Sequence, residues 1–451
     1  MKIQMPTDSF PPVCGGSGWS TYELARGLRT LGHEITLVQP RPGEPEGIRD
    51  AEYDGFVVRH FGAPAPDIPY VRNYYKSEKL TRSLSAYLTS LIASERFDLV
   101  HAQHVMTTMA GIEAARANRI PSVATVRDYW PVCYWSDLLH TREGLTLCPA
   151  CTAANMLVCI QPRAGRAWPL AVPMIPYMRA NLTAKRSGLA RANAIVAVSR
   201  RIAADLRARA PELASARIEV VPNPVDVAAL RGLAETAAPP SRPYALYLGK
   251  LAPNKGTDHL IDVIRLADLD WPLVIAGDGP DRERLEAEAR TANRTIEFTG
   301  WVDRTEAVRL LAGASLLIFP SRGPESLSRV LIEASALGVP VAAMETGGTR
   351  DIIEPGVTGL LSSTPVGLAA DVRRLRHDEP LRRSLGEAAR HKVEREFDAA
   401  VVIRRIDTLY RELVELEPRA SEGRREPPLG GGRSAQRGGE GTRGPTERSE
   451  Q

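Results

Sequence analysis

Short apolar runs alternate with amphipathic stretches along the first half of the chain. The runs predict strands at residues 3–5, 35–38, 57–61, 97–101, 121–126 and 194–198. The stretches between them predict helices at residues 20–31, 78–94, 107–118 and 179–191. In helix 78–94, the residues Leu80, Leu84, Leu88 and Leu91 recur at the spacing of one helix face. Strands and helices that alternate in this way predict a parallel α/β sheet.

The same alternation restarts after residues 236–243, a linker segment rich in Ala and Pro. Strands are predicted at 244–248, 272–276, 296–298, 315–319 and 339–344, and helices at 257–267, 281–291, 305–312, 366–378, 380–396 and 399–416. The predicted fold class is therefore α/β, with two Rossmann-like parallel-sheet domains, 1–235 and 244–398, facing a central cleft. Helix 399–416 is expected to cross back to the first domain. Ligands of parallel sheets bind at the carboxyl ends of the strands, so the cleft is the expected site.

Two segments depart from this pattern. Residues 131–176 are rich in Cys, Pro and Trp and predict an irregular insertion in the first domain. Residues 417–451 contain almost no apolar side chains, so they cannot bury a core and are predicted to be disordered.

Composition narrows the class of protein. Apolar residues make up 43% of the 451-residue chain, which is ample for sizeable cores. The net charge of +4 arises from interspersed acidic and basic residues, which argues against a nucleic-acid partner. No run of eighteen apolar residues predicts a membrane-spanning helix, and the amino terminus has no signal-peptide pattern. We therefore expect a cytoplasmic protein.

The segment from Trp168 to Met178 is apolar, contains three prolines and precedes several basic residues. One interpretation is a peripheral contact with an anionic membrane, at its inner face. The other is a core-packed loop followed by a solvated helix. No feature of the sequence predicts an oligomeric state.

Glu325 and Glu333 lie eight positions apart, in a segment predicted to run from a loop into a helix. If all eight positions were helical, the two carboxylates would be about 12 Å apart along the axis. This separation is too large for a shared proton or metal ion. It suits an elongated polar ligand held at two points, with the free N–H groups of the helix terminus between them. Two solvated glutamates on an amphipathic helix are the alternative interpretation.

Lys250 and Lys255 lie in a loop that follows the first strand of the second domain. Two lysines at a strand's carboxyl end could clamp a diphosphate and stabilise the charge of a leaving group. A solvated loop is the alternative. Gly277, and the pair Gly15 and Gly16, also follow predicted strands, where glycine lets the backbone approach a ligand. Each could equally form only a tight turn.

Four of the five cysteines, Cys133, Cys148, Cys151 and Cys159, fall within the insertion. Cys148 and Cys151 have the C-x-x-C spacing with which two thiolates hold one tetrahedral ion, which predicts a structural zinc site. Reduced thiols, a disulfide pair and an iron–sulfur cluster are the alternatives.

His101 stands in a segment that ends one predicted strand, and Arg127 and Asp128 stand in a segment that ends the next; both segments are expected to face the cleft. A histidine there could act as a base or hold an acceptor hydroxyl group. A hydrogen-bonding structural role is the alternative for such a residue.

Together these motifs resemble the retaining glycosyltransferases of family 4, which have the GT-B fold. The resemblance covers roughly residues 1–415. It rests on Gly15-Gly16, Leu31-Gly-His33, Asp98-Leu-Val-His101, Val221-Pro-Asn223, Leu248-Gly-Lys250, Lys255-Gly256, Ile275-Ala-Gly-Asp-Gly-Pro280, Phe319-Pro-Ser321, Glu325 with Glu333, and Gly347-Gly348. Such an enzyme transfers a sugar from a nucleotide-diphosphate sugar to a hydroxyl acceptor. The family usually requires no metal or other cofactor for catalysis.

The resemblance also implies roles for individual residues. Glu325 would hold hydroxyl groups of the donor sugar, and Glu333 those of the ribose. Lys250 and Lys255 would bind the diphosphate. Backbone N–H groups near Leu327 and Ser328, and Gly16 from the other domain, would assist. Gly15 and Gly277 are also expected to bind the donor.

The chain departs from the family at three places. Lys250 stands where Arg is commoner, Pro224 follows Asn223 where Gly is usual, and Arg127 precedes Asp128 where the family often has His. Because Arg127 stands in place of that histidine, the role of binding the acceptor would fall to Asp128 or His101. A nucleotide-sugar epimerase of the same fold and a catalytically silent nucleotide-sugar-binding scaffold are the alternative functions.

Overall fold

The computed structural model describes residues 1–67, 74–141, 146–236 and 240–416. The predicted disordered tail, residues 417–451, therefore lies outside the described residues. The same holds for residues 142–145 of the insertion and residues 237–239 of the linker.

The first half of the described chain forms an eight-stranded sheet in the order β3-β4-β2-β1-β5-β6-β7-β8. Its strands are β1 (Lys2–Pro6), β2 (Glu34–Pro42), β3 (Gly47–Tyr53), β4 (Phe56–Ala63), β5 (Leu99–Ala102), β6 (Ser122–Val126), β7 (Ala194–Ala197) and β8 (Ile218–Val220). Neighbouring strands are parallel, except that β3 pairs antiparallel with β4. The carboxyl ends of β1, β5, β6 and β7 therefore lie at one edge of the sheet.

Helices connect these strands. They are α1 (Gly16–Thr30), α2 (Leu80–Glu95), α3 (Val105–Ala117), α4 (Ala153–Ala164), α5 (Trp168–Ala171), α6 (Ile175–Leu189), α7 (Arg200–Arg209) and α8 (Val227–Glu235). A short π-helical stretch, Tyr75–Lys79, precedes α2.

The second half forms a six-stranded parallel sheet in the order β11-β10-β9-β12-β13-β14. Its strands are β9 (Ala245–Leu248), β10 (Leu273–Ala276), β11 (Ile296–Gly300), β12 (Leu316–Phe319), β13 (Val341–Met344) and β14 (Leu360–Ser362). Its helices are α9 (Leu260–Leu266), α10 (Arg282–Thr291), α11 (Arg304–Gly313), α12 (Arg329–Ala336), α13 (Thr349–Ile352), α14 (Pro365–His377), α15 (Glu379–Glu396) and α16 (Ala399–Leu416). Two parallel-sheet α/β halves with this topology confirm the predicted fold class.

Three predictions of local structure were wrong. Helix α1 begins at Gly16, four residues before the predicted start, so the glycines lie at a helix terminus and not in a loop. Strand β3 was missed, because its residues are mostly exposed and carry no apolar alternation. The insertion was expected to be irregular, yet α4 is a regular helix that carries Cys159.

Helix α16 packs on the first half of the chain, although it is the last described element. Val402, Ile406 and Tyr410 of α16 share one apolar core with Ile3 of β1 and Leu28 of α1. His33, at the end of α1, also hydrogen-bonds through Nε2 to Asp407 Oδ1, at 2.8 Å. The last helix therefore belongs to the core of the first sheet.

None of the helices within the described ranges is both long enough and apolar enough to cross a membrane.

Candidate active site

A cavity of 410 Å³ lies between the two halves, where the carboxyl ends of both sheets meet. The first half contributes Gly16, Ser17, Ser20, Arg127 and Asn223 to its walls. The second half contributes Lys250, Lys255, Ser321, Glu325, Leu327, Ser328 and Arg329, among others. The cavity thus collects most of the residues that the sequence predicted for a donor site.

Glu325 lies in the loop between β12 and α12, not in the helix. Its Oε1 atom accepts hydrogen bonds from Lys255 Nζ and from Ser321 Oγ, both at 2.6 Å. Its backbone oxygen accepts a hydrogen bond from the Gly348 N–H at 2.7 Å. A Cβ atom on Gly347 would lie 1.9 Å from that same oxygen, and the φ angle of Gly347 is +50°. The Gly347-Gly348 turn therefore seats the Glu325 loop by a close approach that only glycine allows.

Both predicted lysines line the cavity, but they differ in whether a carboxylate pairs with them. Lys255 ends a short 3₁₀ turn, Pro253–Lys255, and is paired with Glu325. Lys250 is exposed, and its ammonium group makes no ion pair among the described residues. Its charge is therefore available to a ligand.

Gly277 does not line the cavity, and its expected contact with a ligand stays a prediction. Its φ angle is +144°, and a Cβ atom there would lie 1.9 Å from the backbone oxygen of Gly249. Gly277 thus lets the turn after β10 pack against the loop that carries Lys250.

Two helix amino termini open onto the cavity. Gly15 is the N-cap of α1, and Gly16 and Ser17 of its first turn line the wall. Ser328 is the N-cap of α12 and lines the wall with Leu327. No side chain caps either terminus. The N–H groups of a first helical turn and the helix dipole both favour a bound anion.

Glu333 lies inside α12 and is 4% exposed. Its Oε1 atom accepts hydrogen bonds from Arg329 Nε, at 2.6 Å, and from Arg304 Nη1, at 2.5 Å. Arg329 also forms an ion pair with Glu23 of α1, so this buried ion cluster joins the two halves. Burial raises the pKa of Glu23, although Arg329 opposes the rise. Glu333 does not line the cavity, and its carboxylate is engaged by two arginines.

Arg127 departs from the family pattern, and its strand-end segment was expected to face the cleft; it lines the cavity from the end of β6. Its Nε donates to Asn223 Oδ1 at 3.0 Å, and its Nη1 donates to the backbone oxygen of Gln103 at 2.7 Å. Burial lowers its pKa to about 9. The signal available in the sequence was its position, directly after a strand whose carboxyl end faces the cleft.

His101 does not face the cleft, so its predicted placement was wrong. The imidazole is fully buried, with Nδ1 hydrogen-bonded to the Tyr410 hydroxyl and Nε2 to Thr125 Oγ1 at 2.7 Å. Burial lowers the pKa of His101 well below its ordinary value. The hydrogen bonds of the two ring nitrogens tie β5 to β6 and to α16. A neutral imidazole held in this way fits the hydrogen-bonding structural role that was the alternative for His101.

Asp128 follows Arg127 in the chain but does not line the same cavity. Its Oδ1 accepts a hydrogen bond from the Trp130 N–H at 2.8 Å, and burial raises its pKa. Burial raises the pKa of Asp8, which follows β1, to about 7, and the nearby charge of Asp128 adds to the rise. Both acids are partly exposed, so the expectation that Asp128 faces the cleft stays a prediction.

The four cysteines of the insertion line one small cavity of 10 Å³. All are free thiols, so the disulfide alternative is not formed, and burial raises the pKa of each. Within the described ranges, no three His, Cys, Asp or Glu side chains are arranged so that they could hold a metal ion. The zinc site stays a prediction.

Comparison with known proteins identifies the class to which this fold and site belong. A family model described as Glycosyltransferase Family 4 matches residues 14–229, and one described as Glycosyl transferases group 1 matches residues 233–392. The chain is therefore a glycosyltransferase of the GT-B fold. Its first half carries the match to Glycosyltransferase Family 4, and its second half carries the match to Glycosyl transferases group 1.

Curated relatives resemble the chain over most of its length. A GDP-mannose-dependent alpha-mannosyltransferase of Mycolicibacterium smegmatis is 28% identical over 87% of this chain and 92% of its own. An alpha-maltose-1-phosphate synthase of Mycobacterium tuberculosis is 26% identical over 92% of this chain and 100% of its own. Among solved structures, a sucrose-phosphate synthase from Thermosynechococcus elongatus superposes with a TM-score of 0.67 at 20% identity, covering 92% of this chain and 99% of that one.

Proposed function

We propose that the protein is a retaining glycosyltransferase that moves a sugar from a nucleotide-diphosphate sugar to a hydroxyl acceptor. The observation that carries this proposal is the convergence of Lys250, Lys255 and Glu325 with two helix amino termini on one cavity between the halves. Cations and N–H groups suit a diphosphate, and a carboxylate beside them suits the hydroxyl groups of a sugar. The names of the relatives, a GDP-mannose-dependent enzyme among them, support the same donor class.

In this proposal the diphosphate lies against Lys250 and Lys255, and Glu325 accepts hydrogen bonds from hydroxyl groups of the sugar. The bond between the anomeric carbon and the diphosphate oxygen breaks, and the acceptor oxygen bonds to that carbon on the same face. The acceptor's hydroxyl proton passes to the departing diphosphate. The lysines and the helix termini stabilise the negative charge that develops on the leaving group, as fixed charges do in other enzymes. Those charges are protein groups, so catalysis requires no metal ion in this scheme.

A donor screen tests the proposal. The purified protein is mixed with common nucleotide sugars, and its melting temperature is measured, because a ligand that binds the folded state raises it. The stabilising donor is then incubated with and without candidate hydroxyl acceptors. We expect transfer with retained anomeric configuration, read by NMR of the product. Inverted product would exclude the retaining mechanism, and conversion of the donor without any acceptor would favour an epimerase.

We also propose that the protein touches an anionic membrane through the segment 168–178. Leu170 is 83% exposed and Met174 is 37% exposed, whereas Ile175 and Met178 are buried. Arg166 and Arg179 flank the exposed side chains, and cations near an apolar patch attract anionic headgroups. Sedimentation with vesicles containing phosphatidylglycerol tests this contact, and Leu170→Ser should reduce it. Equal sedimentation of both proteins would contradict it.

A further inference from the structure

Two arginines line the same cavity, and the described residues compensate their charges very differently. Arg329 is buried but pairs with Glu23 and with Glu333, and these carboxylates raise its pKa. Arg127 is also buried, at 9% exposure, yet its hydrogen-bond partners are the neutral oxygens of Gln103 and Asn223. No carboxylate among the described residues pairs with it. Arg127 therefore holds an uncompensated positive charge.

A buried charge without a counter-charge lowers the stability of the fold, because protein groups solvate an ion less well than the water they displace. Burial accordingly lowers the pKa of Arg127 to about 9. The two hydrogen bonds fix the guanidinium plane, and its Nη2 has no hydrogen-bond partner among the described residues. A fixed guanidinium with a free edge at a cavity wall suits a phosphate or carboxylate, which can accept two parallel hydrogen bonds.

The donor's diphosphate already has partners elsewhere in the cavity. Lys250 and Lys255 belong to the second half, and the termini of α1 and α12 add their N–H groups. Arg127 and Asn223 stand on the wall formed by the first half, at the carboxyl ends of its strands. In the proposed reaction the acceptor binds along this wall, and the α1 terminus on the same half faces the diphosphate.

We propose that Arg127 determines specificity for an acceptor that carries a phosphate or carboxylate group near the hydroxyl that receives the sugar. The inference rests on the proposed function, because it assumes that a nucleotide-sugar donor occupies the part of the cavity lined by Lys250 and Lys255. Asn223 and Gln103 position the guanidinium. The free edge of Arg127 binds the anionic group and so orients the neighbouring hydroxyl towards the donor sugar.

The test uses the whole chain and two variants, Arg127→Gln and Arg127→Lys, with Arg395→Gln as a control for an exposed arginine. UDP and GDP are titrated first by calorimetry. If the wild type binds neither, the proposed function fails and the inference fails with it. If one binds, we expect its Kd to change by less than about twofold in Arg127→Gln, which corresponds to well under 1 kcal/mol. A loss of about tenfold or more would place Arg127 on the diphosphate and overturn the inference.

The second measurement adds inorganic phosphate and then glucose 6-phosphate to the nucleotide-loaded protein, with glucose as the neutral control. We expect saturable stabilisation by the two anions in the wild type and in Arg395→Gln, a weaker effect in Arg127→Lys, and none in Arg127→Gln. Glucose should show no dependence on Arg127. Equal stabilisation of wild type and Arg127→Gln by the anions would overturn the inference while leaving the proposed function intact.

A third readout separates recognition from a structural role. Because the charge of Arg127 is uncompensated, its removal should not destabilise the ligand-free protein, and we expect Arg127→Gln to melt at or above the wild-type temperature. A lower melting temperature in both Arg127→Gln and Arg127→Lys would mean that the side chain serves the fold, and it would contradict the inference. UDP-glucuronate and UDP-glucose are compared as a last arm. Selective loss of UDP-glucuronate binding in Arg127→Gln would place the anion on the donor sugar and also contradict it.

Discussion

Lys255 Nζ lies 2.6 Å from Glu325 Oε1, so the cation expected at the diphosphate and the carboxylate expected at the sugar are direct neighbours. Ser321 Oγ binds the same carboxylate oxygen. The pair holds the two groups at the junction where a sugar–phosphate bond would break. Donor binding would exchange part of this contact for contacts with the substrate.

Glu325→Gln should therefore impair chemistry more than nucleotide binding. The amide keeps the size of the side chain but loses the charge beside the reacting sugar. We expect kcat to fall by about 100-fold or more, the range seen when one transition-state hydrogen bond is removed. UDP or GDP affinity should change little, because those ligands lack the sugar. Glu306→Gln, at an exposed position of α11, is the matched control. Near-wild-type turnover of Glu325→Gln would refute the assignment.

Arg329→Met should destabilise the protein strongly. The substitution leaves Glu23 and Glu333 buried in a cluster that has lost its central cation. Breaking a buried ion pair from one side costs about 3–5 kcal/mol, whereas an exposed pair contributes about 0–1 kcal/mol. Urea unfolding of Arg329→Met measures the loss, and Arg350→Met, which breaks an exposed pair with Glu345, is the control. Equal stability of both variants would show that the cluster does not hold the halves together.

Asp8→Asn should make the protein more stable at neutral and alkaline pH. Burial raises the pKa of Asp8 to about 7 from an ordinary value of 3.8, and its Oδ2 accepts a hydrogen bond from the Met106 N–H. Ionisation thus costs more in the folded state than in the unfolded state. The contribution of Asp8 to stability is full below pH 4 and is lost as the pH rises towards 7.

The advantage of Asp8→Asn should therefore grow between pH 5 and pH 8 by a few kcal/mol, at about 1.4 kcal/mol per pH unit at most. Urea unfolding of both proteins at pH 5, 6.5 and 8 measures the difference. A difference that stays constant with pH would mean that Asp8 titrates normally.

Metal analysis tests the cysteine cavity. If the four sulfurs bind zinc, freshly purified reduced protein should contain about one zinc per chain, and Cys151→Ser should lose it together with thermal stability. Cys14→Ser, outside the insertion, should keep both. Protein prepared without chelators that contains no stoichiometric zinc would exclude the structural zinc site.

The periodic parts of the fold were predictable, because apolar spacing reports burial directly. Helix α16 was predicted at residues 399–416, and its apolar positions Val402, Ile406 and Tyr410 are among its buried residues. Strand β3 could not be predicted in this way, because it is an edge strand with an exposed surface. The start of α1 was missed because Gly16-Ser17-Gly18 has the composition of a loop, and only tertiary contacts settle such a helix end.

Site residues could be predicted where they belong to a local sequence motif. Their hydrogen-bond and ion-pair partners could not be predicted where these come from distant segments of the chain. Lys255 and Glu325 follow strand ends that any parallel sheet brings to one edge. The engagement of Glu333 depends on Arg304 of α11, and that of Arg329 depends on Glu23 of α1. His101 and Arg127 both stand at strand ends, yet one side chain points into the sheet's own core and the other into the cleft. Periodicity alone does not distinguish those directions.

The placement of α16 has a consequence for how the chain is made. The apolar face of α1 and β1 is covered by Val402, Ile406 and Tyr410, which leave the ribosome last among the described elements. The first sheet therefore cannot complete this cluster before α16 is synthesised, although domains generally fold from the amino terminus onwards. The half of the enzyme that is translated first is thus the half that is completed last. A chain truncated before residue 399 would leave the apolar face of α1 and β1 exposed.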